Sequence, residues 1–185
     1  MKLIKFLIIF FISLPSTIKA DLNENLTNKL KEGGKLIFIR HAIAPGGGDP
    51  ENFDINECNT QRNLDNNGRS QAKEIGNYLS SNNILIDKVI SSEWCRCKET
   101  ALLAFNKFET KSFLNSFYSS KFTKNKDRQI KELKMYIKNW ESKKNLVLVT
   151  HYVVISEILD YNPSSGEIVI SDTNFKKLGN INIEY

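Results

Sequence analysis

Apolar positions along this chain follow two patterns, unbroken runs and helical stripes, and their order predicts the fold. Leu36 to Ile39 and Leu146 to Val149 are uninterrupted, β-branched or aromatic, and end in polar groups. Such runs predict strands covered on both faces, here over residues 35–40 and 145–150. Helical spacing marks residues 22–31, stopped by Gly33-Gly34, and residues 69–81, with Ala72, Ile75, Gly76 and Leu79 on one face. Gly76 reads either as close packing on a sheet or as a tolerated weak spot. Further helices are predicted over 94–105, 127–142 and 152–160; the stripe Ile130, Leu133, Ile137 and Trp140 is explained by core packing alone. Shorter strands are predicted at 84–90, around 111–114, at 167–170 after the turn 162–166, and at 180–185 on an edge. Residues 42–65 carry no periodicity and are rich in Gly, Pro, Asn and Asp, which predicts a long loop over the strand ends. The order of elements predicts an α/β domain, a three-layer α/β/α sandwich around a mostly parallel central sheet.

The first twenty residues change this picture. Lys2 and Lys5 open an apolar stretch running to Leu14, Pro15 breaks it, and Ala20 offers a cleavage point. This predicts a secretory signal over 1–20 and a single domain over 21–185. The stretch is shorter than the roughly 20 apolar residues that span a bilayer, so no stable membrane insertion is expected once it is removed; an uncleaved anchor is the alternative. The segment holds three lysines and no acid, so the net charge falls from +5 to +2 without it. That balance gives no support for a nucleic-acid partner. A periplasmic or secreted chain meets an oxidising compartment. Its three cysteines, Cys58, Cys95 and Cys97, allow one bridge, from Cys58 to either of the others, or none if all three are buried thiols. No Cys-x-x-Cys or paired-histidine spacing suggests a metal site.

Three segments end a predicted strand in polar groups: Arg40-His41, Ser91 to Arg96, and Thr150-His151. In a parallel sheet such ends converge on one edge, where ligands bind. Two arginines and two histidines gathered there suit a dianion, because a guanidinium stays charged and its planar fork matches phosphate oxygens. The helix start after His151 adds dipoles of the same sign. An imidazole held through one nitrogen by a backbone carbonyl can attack phosphorus through the other. Singly, a strand-end histidine or arginine is an ordinary structural group; four at three corresponding ends, with only two histidines in the chain, point to a site.

These residues resemble the motifs of a known family. Arg40-His41-Ala42 is similar to the Arg-His-Gly signature of the histidine phosphatase superfamily, the phosphoglycerate-mutase-like group. Residues 62–72 resemble its Leu-Thr-x-x-Gly-x-x-Gln-Ala element, residues 91–101 its Ser-x-x-x-Arg-x-x-x-Thr-Ala element, and Thr150-His151 its Gly-His. The resemblance implies the phosphoglycerate-mutase-like fold, His41 as phosphate acceptor, and Arg40, Arg96 and His151 as groups that bind the phosphoryl oxygens and stabilise the transition state. It implies no metal and no other cofactor. Arg62 would extend the anion pocket or brace the loop through an ion pair.

Two departures narrow the reading. The family's general-acid glutamate motif has no match between Phe105 and Lys144, where Glu109, Asp127, Glu132 and Glu141 look like surface charges. Glu93 lies nearer, as a candidate substrate contact. Tyr152 stands where the acid-phosphatase and phytase branch has an aspartate, which excludes that branch and leaves the mutase-like one. The expectation is an exported, metal-independent phosphatase acting on a small phosphorylated substrate. Its rivals are a mutase-like phosphotransferase and a non-catalytic phosphate-binding protein.

Overall fold

The computed structural model describes residues 16–185. The apolar run on which the secretion-signal expectation rests lies outside them. The first element, α1 (Ser16–Glu32), starts at Ser16 and not at Leu22. There follow β1 (Leu36–Arg40), α2 (Asn66–Ser81), β2 (Ile86–Ser91), α3 (Cys95–Phe105), β3 (Glu109–Thr110), α4 (Lys126–Lys138), β4 (Asn145–Thr150), α5 (Tyr152–Leu159), β5 (Ile168–Ser171) and β6 (Lys177–Ile181). Residues 41–65 form the predicted long loop, relieved by one 3-10 turn at Cys58–Thr60.

The strands form one sheet in the order β3-β2-β4-β1-β5-β6. The first four are mutually parallel, and β5 runs antiparallel to both β1 and β6. Alternate residues of the central strands feed two separate cores. Ile37, Ile39, Val147 and Val149 pack with α1, α2 and α3 through Leu26, Leu30, Ile75, Leu79 and Ala101. Leu36, Phe38, Leu146 and Leu148 pack with α4 and α5 through Leu133, Ile137, Val154 and Ile155. Both faces are covered, which is why β1 and β4 carry no polar alternation. Each such side chain removed fully from water stabilises the fold by about 1.5–3 kcal/mol.

Three further element predictions are corrected. The last strand is Lys177–Ile181, not 180–185: β5 begins at Ile168, opposite Ile181, so later residues have no strand to pair with. The strand expected around 111–114 is the two-residue β3, and Ser112–Leu114 is a 3-10 turn that buries Phe113 and Leu114. Helix α4 stops at Lys138, and Trp140 instead sends its indole N–H to Asp87 Oδ2 at 2.9 Å.

Gly76 packs against a helix and not the sheet. A Cβ there would meet the Ala104 carbonyl oxygen of α3 at 2.2 Å. A disulfide joins Cys58 to Cys95, tying the long loop to the first residue of α3, while Cys97 is free and buried.

Two stability predictions follow from this packing. Gly76→Ala forces α2 and α3 apart and should cost about 1–3 kcal/mol in denaturant unfolding, whereas Gly47→Ala, with nothing within 4 Å of the added carbon, should change stability by less than about 0.5 kcal/mol. Cys58→Ser opens a loop that spans 37 positions and should cost about 2–4 kcal/mol; an unchanged midpoint would show that the bridge does not constrain the unfolded chain.

Candidate active site

Strand register builds the site. Arg40 pairs with Thr150 and Ser91 with Val149, so the carboxyl ends of β1, β4 and β2 are level. The ladder continues one residue further: His41 N–H donates to the Thr150 carbonyl and Ser92 N–H to the Val149 carbonyl, both at 2.9 Å. The two imidazoles consequently lie with centroids 5.5 Å apart and planes 68° from parallel. Arg96, in the first turn of α3, reaches His151 Nδ1 with Nη2 at 3.5 Å.

His41, His151, Arg40, Arg62 and Arg96 line one cavity of about 410 Å³. Glu93 does not. Its carboxylate accepts from Asn115 Nδ2 at 2.6 Å, and Asn115 Oδ1 in turn accepts from the Ser92 hydroxyl and the Glu93 N–H. Ser92 is bonded to His151 Nε2 at 2.9 Å, so Glu93 anchors the polar chain behind His151 and is no cavity contact. The reason is hydrogen bonding: Asn115 holds the turn between β2 and α3 and captures the Glu93 carboxylate.

The motif residues have visible work. Thr100 accepts from the Ala42 N–H at 3.0 Å and donates to the Arg96 carbonyl at 2.7 Å, joining the His41 loop to α3. Gln71 accepts from the Ile43 N–H and donates to the Ser165 carbonyl, clamping that loop to the turn before β5. Gly68, in the α2 turn capped by Asp65, lets the helix touch the loop, because a Cβ would lie 2.0 Å from the Ile43 carbonyl oxygen.

Hydrogen bonding fixes both imidazoles. His41 Nδ1 lies 2.8 Å from the Ala42 carbonyl oxygen, which can only accept. Nδ1 therefore carries the proton, and Nε2 keeps its lone pair. For His151 the guanidinium can only donate, so Nδ1 accepts and Nε2–H donates to Ser92. Both rings are buried, and burial followed by the Arg96 charge holds their pKa values well below the ordinary 6.5. They are neutral at physiological pH. Cys97, 3.5 Å from His151 Nε2, has its thiol pushed up to about 12 by burial and stays protonated.

Backbone carbonyls hold two of the cationic groups. Arg40 donates Nη1 to the Pro163 carbonyl at 2.9 Å and lies 5.4 Å from the Tyr152 ring centroid. Arg62 donates to the Gly48 carbonyl at 2.9 Å and to the Ala44 carbonyl, so it braces the loop through backbone oxygens and not through an ion pair. The Nε atoms of Arg40 and Arg96 are buried and have no partner among the described residues. Such donors suit an anion. Among the described residues, no group of three or more His, Cys, Asp or Glu side chains is arranged to hold a metal ion.

Sequence reasoning missed Asp49. Its carboxylate pairs with Arg96 at 2.7 Å and accepts the Trp94 indole N–H at 3.0 Å. The available signal was an acid directly after three glycines in the loop that leaves the end of β1.

No family model matches the chain. The mitochondrial serine/threonine-protein phosphatase Pgam5 of Drosophila mojavensis is 34% identical over 90 residues, 49% of this chain and 27% of that protein. Its counterpart in Drosophila ananassae is 33% identical over 92 residues, 49% of this chain and 29% of that protein. The chain thus spans less than a third of the length of these relatives. Among solved structures, TTHB049 of Thermus thermophilus superposes with a TM-score of 0.58 at 16% identity, over 81% of this chain and 99% of that one. The protein histidine phosphatase SixA, complexed with tungstate, gives 0.54 at 14% identity over 80% and 96%. At those identities the structures establish a shared fold, and the Pgam5 relatives show a sequence similarity over about half of this chain. The chain thus shares its fold with the protein histidine phosphatase SixA and is similar in sequence, over about half its own length, to the Pgam5 phosphatases.

Proposed function

We propose that the chain is an exported, metal-independent phosphatase that hydrolyses a small phosphomonoester through a phosphohistidine at His41. The observation that carries this is the state of the His41 ring, with Nδ1–H spent on the Ala42 carbonyl and a free Nε2 lone pair in a cavity lined by three guanidiniums. In the first step Nε2 bonds to phosphorus while the ester P–O bond breaks and its electrons leave with the oxygen. Water then attacks phosphorus, the N–P bond breaks, and phosphate departs. Arg40, Arg62 and Arg96 neutralise the equatorial oxygens in both steps, which is the largest usual contribution to such catalysis. These fixed cations supply the charge that a metal would otherwise bring. Burial of the Nε2 lone pair keeps the nucleophile unprotonated. The cavity volume lies in the range of small-molecule sites, about 300–1,000 Å³. Support for export comes from the lysine-flanked apolar start and from the Cys58–Cys95 bridge, which persists in oxidising compartments.

The test is to incubate the chain with a labelled activated phosphomonoester, quench, and assay acid-labile phosphoprotein. Wild type should carry label and release phosphate, and His41→Ala should carry none. Transfer of label to a second sugar hydroxyl would make it a phosphotransferase, and binding without label would make it a receptor.

The neutral histidines also give a substrate-free readout. In an unfolded chain histidine titrates near 6.5, and in the fold both are held lower. As pH falls the unfolded chain therefore takes up protons first, and stability is lost from about pH 6.5 downward. Urea midpoints should be level above about pH 7 and decline toward pH 5, less steeply in His151→Asn; a flat wild-type profile would contradict buried neutral rings.

A further inference from the structure

Phosphoester cleavage with a poor leaving group needs a proton donor, and the obvious groups in this cavity do not provide one. Glu93 is tied to Asn115 behind His151. His151 donates its one N–H to Ser92 and turns a lone pair toward Arg96. Among the described residues, Asp49 and Glu51 are the carboxylates on the cavity lining, and Glu51 is exposed. Asp49 is held in place from four directions: Arg96 Nη1 at 2.7 Å and Nη2 at 3.3 Å, Trp94 Nε1 at 3.0 Å, and the Arg62 backbone N–H at 3.1 Å. Its side chain is only 16% exposed.

We propose that Asp49 is the catalytic proton donor to the leaving-group oxygen, an assignment that rests on the phosphatase reading. Before substrate binds, the Arg96 guanidinium holds the Asp49 carboxyl below its usual range, although burial acts in the opposite sense. Arg96 is itself 3% exposed, and its Nε has no partner among the described residues. A phosphate dianion entering between His41 and Arg96 meets that donor and shares the guanidinium with Asp49. Two anionic groups on one guanidinium cannot both stay ionised without a cost, so the complex draws a proton from solvent onto the carboxyl. When the His41 Nε2–P bond forms and the P–O bond breaks, the electron pair goes to the leaving oxygen, which takes the Asp49 proton. The Asp49 carboxylate then accepts a proton from the water that attacks the phosphohistidine, which restores the acid. The same loop that supplies Asp49 is fixed by Arg62 and by the bridge from Cys58 to Cys95. The donor is therefore presented from a braced segment, although that segment has no regular structure.

Leaving-group dependence tests the assignment. Measure kcat/KM for p-nitrophenyl phosphate, whose leaving group needs no proton, and for glycerol 3-phosphate, whose leaving group does, in wild type and Asp49→Asn. The amide keeps an acceptor for Arg96. The expected result is a loss of about 10²–10⁴-fold on the alkyl ester and less than about tenfold on the aryl ester. Equal losses on both would make Asp49 a positioning residue for Arg96, and a gain in phosphate affinity with unchanged turnover would make it a competing anion; either overturns the proposal. A readout that needs no variant is the wild-type dependence of kcat/KM on leaving-group pKa across substituted phenyl phosphates. A shallow slope supports a proton donor. A steep slope, or an alkyl ester left untouched while the aryl ester turns over, overturns it. Failure of wild type on every ester, with no label at His41, defeats the phosphatase reading instead.

Discussion

The parallel pairing of β1 with β4 is the constraint on which the site depends. A ladder that sets Arg40 opposite Thr150 and passes the His41 N–H to the Thr150 carbonyl brings two imidazoles, distant in sequence, to a centroid separation of 5.5 Å. A slip of one residue would send every side chain of β1 to the opposite face, exchanging Ile37 and Ile39 with Leu36 and Phe38 between the two cores. Core packing and the geometry of the candidate site are thus fixed by the same hydrogen bonds. Neither could drift without damage to the other.

Concentrating positive charge in a half-buried cavity is costly, and the fold offsets the cost locally. Arg40 and Arg62 spend donors on backbone carbonyls of Pro163, Gly48 and Ala44, which need no counter-charge. Arg96 has a true counterion in Asp49. The remaining excess falls on the histidines, whose protonation is suppressed by burial and then by Arg96. On the proposed reading an incoming dianion relieves that excess, so the repulsion among the guanidiniums is released when phosphate binds. This is a site organised around a charge it does not itself carry.

The loop between β1 and α2 shows how irregular backbone is made stiff enough for chemistry. Arg62 fastens it from within, Thr100 and Gln71 fasten its first residues to α3 and to the turn before β5, and the bridge from Cys58 to Cys95 closes its far end. Trp94 adds a wall, with its ring 5.3 Å from His151 and 4.9 Å from Phe53 by centroids, and its N–H on Asp49. These attachments come from α2, α3, the turn between β2 and α3, the turn before β5, and the loop itself. None follows from periodicity.

What the sequence determined by itself was whatever depends on local pattern: strands buried on both faces from unbroken apolar runs, helices from striped ones, and Arg40-His41 and His151 at strand ends, with Arg96 just beyond another, where a parallel sheet collects them. The cationic character of the site was legible for the same reason, since guanidinium and imidazole chemistry travels with residue type. Tertiary structure alone decided the rest. Asp49 sits on the cavity and Glu93 behind it because Arg96 and Asn115, contributed by distant segments, capture their carboxylates. Which cysteine pairs with Cys58, where the last strand stops, and what Gly76 touches were likewise settled by partners far along the chain, and a sequence read one window at a time does not contain the position of a partner.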